Sequence, residues 1–244
     1  MEEVGVVLSR RSFVGGGLAA VGSLALFGGC GPPPPSPVIW YDASRITGVS
    51  SGTAIATWND VSGKAQHLSQ TTSSKRPKFV VSSGTPGVVF DGVNDSMQSA
   101  GLAAVLAHPF TVFVVASTRG GTIKDECLVS GDWTTSTGPF KIRGQTSGAW
   151  TAESGDAAKR LSGGTKSTVR KLVVAHFTAD GTNSFLRMNG ADVARGTTAT
   201  SRSQSVFVGA DRGTYAFAAA TIHEVRVYAG LAPSAIPGIE KKML

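Results

Sequence analysis

The densest run of oxygen ligands in the chain is Asp91-Gly92-Val93-Asn94-Asp95. Three oxygen side chains within five residues, in a turn after a strand, suit a hard cation such as calcium, which collects carboxylate, amide and carbonyl oxygens. Asp42, Asn59 and Asp60 could join from earlier loops. The same side chains serve equally well to hydrogen-bond the backbone of their own turn. A second pattern sets aromatic rings beside polar groups in loops. Trp133 lies in Gly131-Asp132-Trp133-Thr134-Thr135-Ser136, Trp150 follows Gly148-Ala149, and Tyr215 closes Asp211-Arg212-Gly213-Thr214-Tyr215. With Asp132, Arg143 and Gln145 as polar neighbours, these rings would suit a sugar, whose apolar face stacks while its hydroxyls are hydrogen-bonded. The alternative for Trp133 and Trp150 is that they cap a hydrophobic core.

Hydrolytic chemistry is poorly supplied. Beyond the first thirty residues the glutamates are Glu126, Glu153, Glu224 and Glu240, and none has an acidic residue two positions on. Glycoside hydrolysis needs two carboxylates across a cleft, about 5 to 9.5 Å apart. Asp125-Glu126 are neighbours and would point to opposite faces of a strand. A pair assembled from distant strands, with Glu126 or Glu153, stays open. No G-x-S-x-G elbow is present, and Gly120-Gly121 and Gly163-Gly164 lack the pattern of a phosphate loop. Two cysteines and four scattered histidines do not make a zinc site.

The elements that must position these residues are short strands. Candidates are 54–59, 78–81, 88–91, 110–117, 128–131, 140–143, 171–178, 184–189, 205–209 and 221–228, nearly all bounded by Gly, Asp, Asn or Ser. The runs 110–117 and 171–178 are apolar almost throughout. Both should be central strands, with one face on the core and the other under a loop or the chain end. Asn189-Gly190 is a hairpin turn between 185–188 and 191–194. Helical turns are expected at 100–107, stopped by His108-Pro109, and at 234–243, capped by Ser234. No βαβ alternation, heptad or repeat is visible.

The first half carries a resemblance. WYDAS (Trp40, Asp42, Ala43, Ser44), ATWNDVSG (Trp58, Asn59, Asp60, Ser62, Gly63), Arg76-Pro77 and FDGVND (Phe90, Asp91, Gly92, Asn94, Asp95) appear in that order. The series resembles the opening of the laminin-G-like, concanavalin A-like jelly-roll modules of bacterial surface and phage proteins. Lys64 stands where those modules usually have Asn. The last residues, 221–244, are similar to the closing strand and helix of such modules. The resemblance implies an all-β fold, an antiparallel two-sheet jelly-roll sandwich with a short C-terminal helix over 38–244. It also implies a non-catalytic binding module in which calcium is common. Trp40 and Trp58 are expected as core anchors of early strands, with the acidic residues that follow them closing turns.

What precedes that region reads as an address. Arg10-Arg11 in Ser9-Arg10-Arg11-Ser12-Phe13-Val14, followed by a short glycine-rich apolar run, looks like a twin-arginine export leader over 1–29. The run is short for a membrane span, which needs about 20 apolar residues. Cys30 ends it in Leu26-Phe27-Gly28-Gly29-Cys30, similar to a lipoprotein cleavage box; the alternative is an ordinary cleavage that leaves a spare thiol. The prolines of 31–37 would then form a stiff spacer.

The formal net charge is +7, spread over small clusters at Lys75-Arg76-Lys78, Lys141-Arg143, Lys159-Arg160 and Arg170-Lys171. That spacing argues against nucleic acid, which draws basic residues onto one face. The expectation is therefore an exported, lipid-anchored binding module on the outer face of the cytoplasmic membrane or the cell surface. Its partner would be a polysaccharide or glycoconjugate; no cofactor is required, and calcium is the one candidate. The alternatives are a structural or assembly subunit without a small ligand, and a hydrolase with dispersed carboxylates.

Overall fold

The structure is a computed structural model that describes residues 35–119, 125–132 and 138–244. The expected export leader with Arg10 and Arg11, the expected lipidation residue Cys30, and Trp133 lie outside the described residues.

Strands follow one another along the chain as β1 (Ile39–Asp42), β2 (Thr57–Trp58), β3 (Leu68–Ser69), β4 (Lys78–Ser82), β5 (Thr85–Asp91), β6 (Met97–Ser99), β7 (Leu106–Ala107), β8 (Phe110–Thr118) and β9 (Glu126–Gly131). They continue as β10 (Phe140–Gly144), β11 (Trp150–Ser154), β12 (Leu161–Gly163), β13 (Lys171–Phe177), β14 (Ser184–Met188), β15 (Ala191–Gly196), β16 (Arg202–Ser203), β17 (Val206–Val208) and β18 (Ala219–Ala229), before helix α1 (Ile236–Met243). Two eight-stranded sheets face each other. The first runs β15-β14-β13-β8-β18-β5-β4, with β1 added beside the far half of β18. The second runs β12-β11-β10-β9-β17-β6-β3-β2, and β7 pairs β16 apart from both. Every strand ladder is antiparallel, so the chain forms the expected jelly-roll sandwich with a short C-terminal helix.

The inter-sheet core follows from period-two alternation. Phe110, Val112, Val114 and Ala116 of β8 point inward, and Val173, Ala175 and Phe177 of β13 lie beside them. Phe140, Ile142, Trp150, Ala152, Val206 and Val208 come up from the second sheet. At Gly209 (φ +86) a Cβ would sit 2.0 Å from the Phe90 ring, so the sheets close on each other only where a side chain is missing.

The two apolar runs are interior strands of the first sheet, as expected, and both of their faces are buried. On the outward side Phe113, Val115, Leu172, Val174 and Phe185 meet Leu231, Ile236, Ile239 and Met243 from the chain end. The Asn189-Gly190 turn joins β14 to β15 as expected.

Three expectations need correction. Residues 100–107 form no helix: Leu106 and Ala107 pair with Ser203 and Arg202, and cross-strand bonding overrides the helical preference of the alanines. Ser234 is not the cap of α1, because a 3-10 turn over Pro233–Ala235 comes first and Ala235 precedes the helix. Trp58 is fully buried in the core, but Trp40 is half-buried on the outward face of the first sheet. There its indole N–H donates to Glu224 Oε1 at 2.7 Å, and the Arg226 guanidinium lies 4.4 Å from the ring. In Ile39-Trp40-Tyr41 it is the flanking residues that point inward.

Candidate functional site

The second sheet keeps a polar outward face, and two adjacent sequences explain why. In β10, Phe-Lys-Ile-Arg-Gly, the phenylalanine and isoleucine face the core, leaving Lys141 and Arg143 outside. In β11, Trp-Thr-Ala-Glu-Ser, Trp150 and Ala152 face the core, leaving Thr151 and Glu153 outside. Antiparallel register sets Lys141 opposite Glu153 and Arg143 opposite Thr151. Glu153 is 1% exposed; Lys141 Nζ lies 3.6 Å and Arg143 Nε 3.5 Å from its Oε1. Neither Glu153 oxygen accepts a hydrogen bond among the described residues.

Asp211, fully buried, brings the next segment in: its carboxylate lies 2.8 Å from Lys141 Nζ and 3.3 Å from Arg212 Nε. Burial works against the charge on Lys141, but the hydrogen bond and charge of Asp211, with Glu153 and Tyr215, outweigh it and hold its pKa above the usual value. Arg212 also donates to the Tyr215 hydroxyl at 2.7 Å, with its guanidinium 5.2 Å from the ring. Tyr215 is 41% exposed and is therefore a ring pinned from below and open above. Gln145, with its amide turned so that the oxygen faces Arg143, accepts from Nε at 2.8 Å and Nη2 at 3.2 Å.

Beside this cluster runs an open groove of about 550 Å³ across β3, β6 and β17. Exposed side chains of Ser69, Thr71, Thr72, Gln98 and Thr214 line it, Phe207 closes part of the floor at 9% exposure, and Lys75 and Arg212 supply charge. The walls are fixed by hydrogen bonds. Gln70 Nε2 donates to the Ser96 carbonyl at 2.7 Å, and Arg76 donates to the Gln70 carbonyl at 2.9 Å and the Thr71 carbonyl at 3.0 Å. The Ser96 amide donates to the Lys75 carbonyl at 3.2 Å. Gly213 (φ +70) turns against Phe207 and Ser96 with no side chain to spare room for.

Of the residues expected to bind a ligand, the structure brings together Arg143, Gln145 and Tyr215. Asp132 is elsewhere: it follows β9, whereas Arg143 pairs with Cys127 at the other end, about 16 Å along the strand. Its Oδ1 accepts from the Gln204 amide at 2.7 Å. Trp150 is corrected: it is 2% exposed, packed in the inter-sheet core with Gly144 and Gly163 as its cross-strand neighbours. The sequence reading missed the ionic partners Glu153, Asp211 and Arg212 and the hydroxyl-lined wall at 69–72. The alternation of β11 and the run Thr71-Thr72-Ser73-Ser74 were the signals available.

The loop at 91–95 closes on itself. Asp91 Oδ1 accepts from the amides of Val93, Asn94 and Asp95 at 2.7, 3.1 and 3.2 Å, and Asp95 Oδ2 accepts from the Asp91 amide at 3.0 Å. Burial, with the nearby Asp91 charge, raises the Asp95 pKa. Asp91 Oδ1 and Asp95 Oδ2 thus serve the turn's own backbone, while Asn94 Oδ1 is buried without a hydrogen-bond partner among the described residues. The two glutamates that a dispersed hydrolytic pair would use also part company. Glu126 registers with Gly144, itself opposite the core residue Trp150, and meets Lys166 Nζ at 3.5 Å, whereas Glu153 faces outward.

The fold has solved relatives. The receptor-binding domain of botulinum neurotoxin type G matches with a TM-score of 0.59 at 10% identity, over 85% of this chain and 51% of that one. The ligand-binding domain of botulinum neurotoxin serotype D, in complex with N-acetylneuraminic acid, matches at 0.60 and 10%, over 85% and 51%. A sialidase of Trypanosoma rangeli matches at 0.57 and 15%, over 85% of this chain and 33% of that one. At such identities the likeness is one of β-sandwich fold. The chain spans about a third to a half of the length of these proteins. No protein-family model matches it, and no curated protein matches it in sequence.

Proposed function

We propose that residues 38–244 form a non-catalytic carbohydrate-recognition module that takes a polysaccharide or glycoconjugate in the groove on the second sheet. The observation that carries this reading is the groove itself. It is open, preformed by framework hydrogen bonds, lined by hydroxyl and amide side chains, and flanked by a tethered, exposed Tyr215. Such a surface meets the needs of a sugar ring, with one apolar face and many hydroxyls. Two carboxylates of the adjoining cluster, Glu153 and Asp211, each lie within ion-pair distance of two cations. The neurotoxin domain bound to N-acetylneuraminic acid lends the reading support at the level of fold. Kinship with laminin-G-like modules rests on the motif series from Trp40 to Asp95. We further propose, from Arg10-Arg11 and Cys30, that the module is exported and held at the cell surface by a lipid. A glycan array on the purified protein tests the ligand class. Binding to a defined set of saccharides, weakened at least fivefold by Tyr215→Ala, is expected. No saccharide bound, together with self-assembly in solution, would favour a structural subunit instead.

A further inference from the structure

The side chains lining the groove differ in kind from those under it. Of the thirteen residues around it, Lys75 and Arg212 are charged and both are cations; none is Asp or Glu. Asp211, next in sequence to the lining residue Arg212, is fully buried and lies within 3.3 Å of both Lys141 and Arg212. Lys75 is placed differently from its basic neighbours. Arg76 spends its guanidinium on the carbonyls of Gln70 and Thr71, and Lys78 acts on the buried Asp95. Lys75 is exposed, and among the described residues no carboxylate lies within ion-pair distance of its ammonium. Its backbone is not loose. It ends a 3-10 turn over Ser73–Lys75, its amide donates to Thr72, and its carbonyl accepts from Ser96 across the groove wall.

The geometry points to an anionic saccharide as the ligand of this groove, its carboxylate or sulfate met by Lys75 at the wall while Thr71, Thr72, Ser69 and Gln98 take its hydroxyls. The inference rests on the proposed carbohydrate-binding reading and narrows its ligand class. An exposed lysine with no carboxylate partner among the described residues favours anions and disfavours neutral sugars only weakly, so charge sets selectivity and on-rate while the hydroxyl wall sets fit. That no carboxylate lines the groove among the described residues matters as much as the lysine, because one acidic residue there would repel such a ligand.

The test is a titration of the purified protein with matched pairs that differ in charge alone: polygalacturonate against its fully methyl-esterified form, a sialylated oligosaccharide against the same oligosaccharide without the sialic acid, and a sulfated galactan against its desulfated form. The pair that binds identifies the source of the anion. At least tenfold tighter binding of the charged member is expected, falling several-fold between 50 and 200 mM salt as screening shortens the reach of a surface charge. Lys75→Gln should remove most of that preference, weakening binding of the charged member far more than that of the neutral one. Since Lys75 is exposed, the variant should fold, and an unchanged melting temperature checks this. Equal binding of charged and neutral members overturns the inference and keeps the carbohydrate reading. A charge preference that survives Lys75→Gln also overturns it. No binding to any member removes both.

Discussion

The outward faces of the two sheets have opposite fates, and the strands themselves decide which. On the first sheet, β8 and β13 are apolar on both sides, so the outward side had to be covered. Leu231, Ile236, Ile239 and Met243 do so, and Arg187 pins α1 through Nε and Nη2 to Glu240 at 2.9 and 3.0 Å. On the second sheet, β10 and β11 alternate strictly, the outward side is polar, and the groove lies open beside it. A face that must be buried for stability cannot also be offered to a ligand. The face left physically accessible to a partner is therefore the one beside β10 and β11, where the groove lies open.

The largest expected effect breaks the covered side. Phe113 points into the layer beneath α1 and packs edge-on against Tyr228, with ring centroids 5.5 Å apart. Phe113→Ala should cost about 3–5 kcal/mol, the usual range for deleting a buried aromatic side chain. Urea denaturation measures it. A loss below about 1 kcal/mol would mean that the chain-end layer is not a real part of the core.

Asp60 sharpens the comparison at the seam between the sheets. It accepts from the amides of Trp40, Ser62 and Gln66 at 2.9, 3.0 and 3.0 Å and from the Ser62 hydroxyl at 2.7 Å. Trp40 belongs to the first sheet, and Gln66 lies between the strands β2 and β3 of the second. Burial pushes the Asp60 pKa up, but these hydrogen bonds outweigh it and hold it below the usual carboxylate value. A depressed folded-state pKa means the unfolded chain binds the proton more readily. The stability Asp60 contributes is therefore present above about pH 4 and is lost as pH falls through the folded-state value. Asp60→Asn should cost about 2 kcal/mol at pH 7, on the scale of hydrogen bonds to a charged acceptor, and the gap between variant and parent should narrow toward pH 3. Denaturation curves at stepped pH read both quantities. A gap that stays constant with pH would assign the loss to packing rather than charge.

How much of this was legible in the sequence divides along the same line. Long apolar runs such as 110–117 and 171–178 announce strands buried on two sides, and the structure has them next to each other. The turn at Asn189-Gly190 was equally plain. The site was harder, because its parts come from distant segments joined only by register. Lys141 and Glu153 become partners because β10 and β11 pair, and Asp211 reaches Lys141 from beyond β17. Trp150 misled because tryptophan beside glycines and polar residues reads as a loop aromatic. The decisive information was parity: Trp150 shares its face with Ala152, and Glu153 does not. Trp40 failed for the converse reason. A large ring flanked by two apolar residues reads as core, yet in a strand the flanking positions point the other way.

The smallest expected stability effect falls on the open face, and it is the most telling because it should come with a large functional one. Gln98 is exposed on β6 opposite Phe207 and lines the groove. Among the described residues its side chain has no hydrogen-bonding duty in the framework, unlike Gln70, whose amide ties the wall to Ser96. Gln98→Ala should therefore shift unfolding free energy by no more than about 0.5 kcal/mol, as is usual for surface positions away from such features. If the groove is the ligand site, the same variant should weaken saccharide binding several-fold, since a lost hydrogen bond at a binding surface is worth about 1 kcal/mol. A thermal melt and a titration on one preparation separate the two. Loss of stability without loss of binding would make this face another part of the scaffold, and the contrast between the two sheets would dissolve.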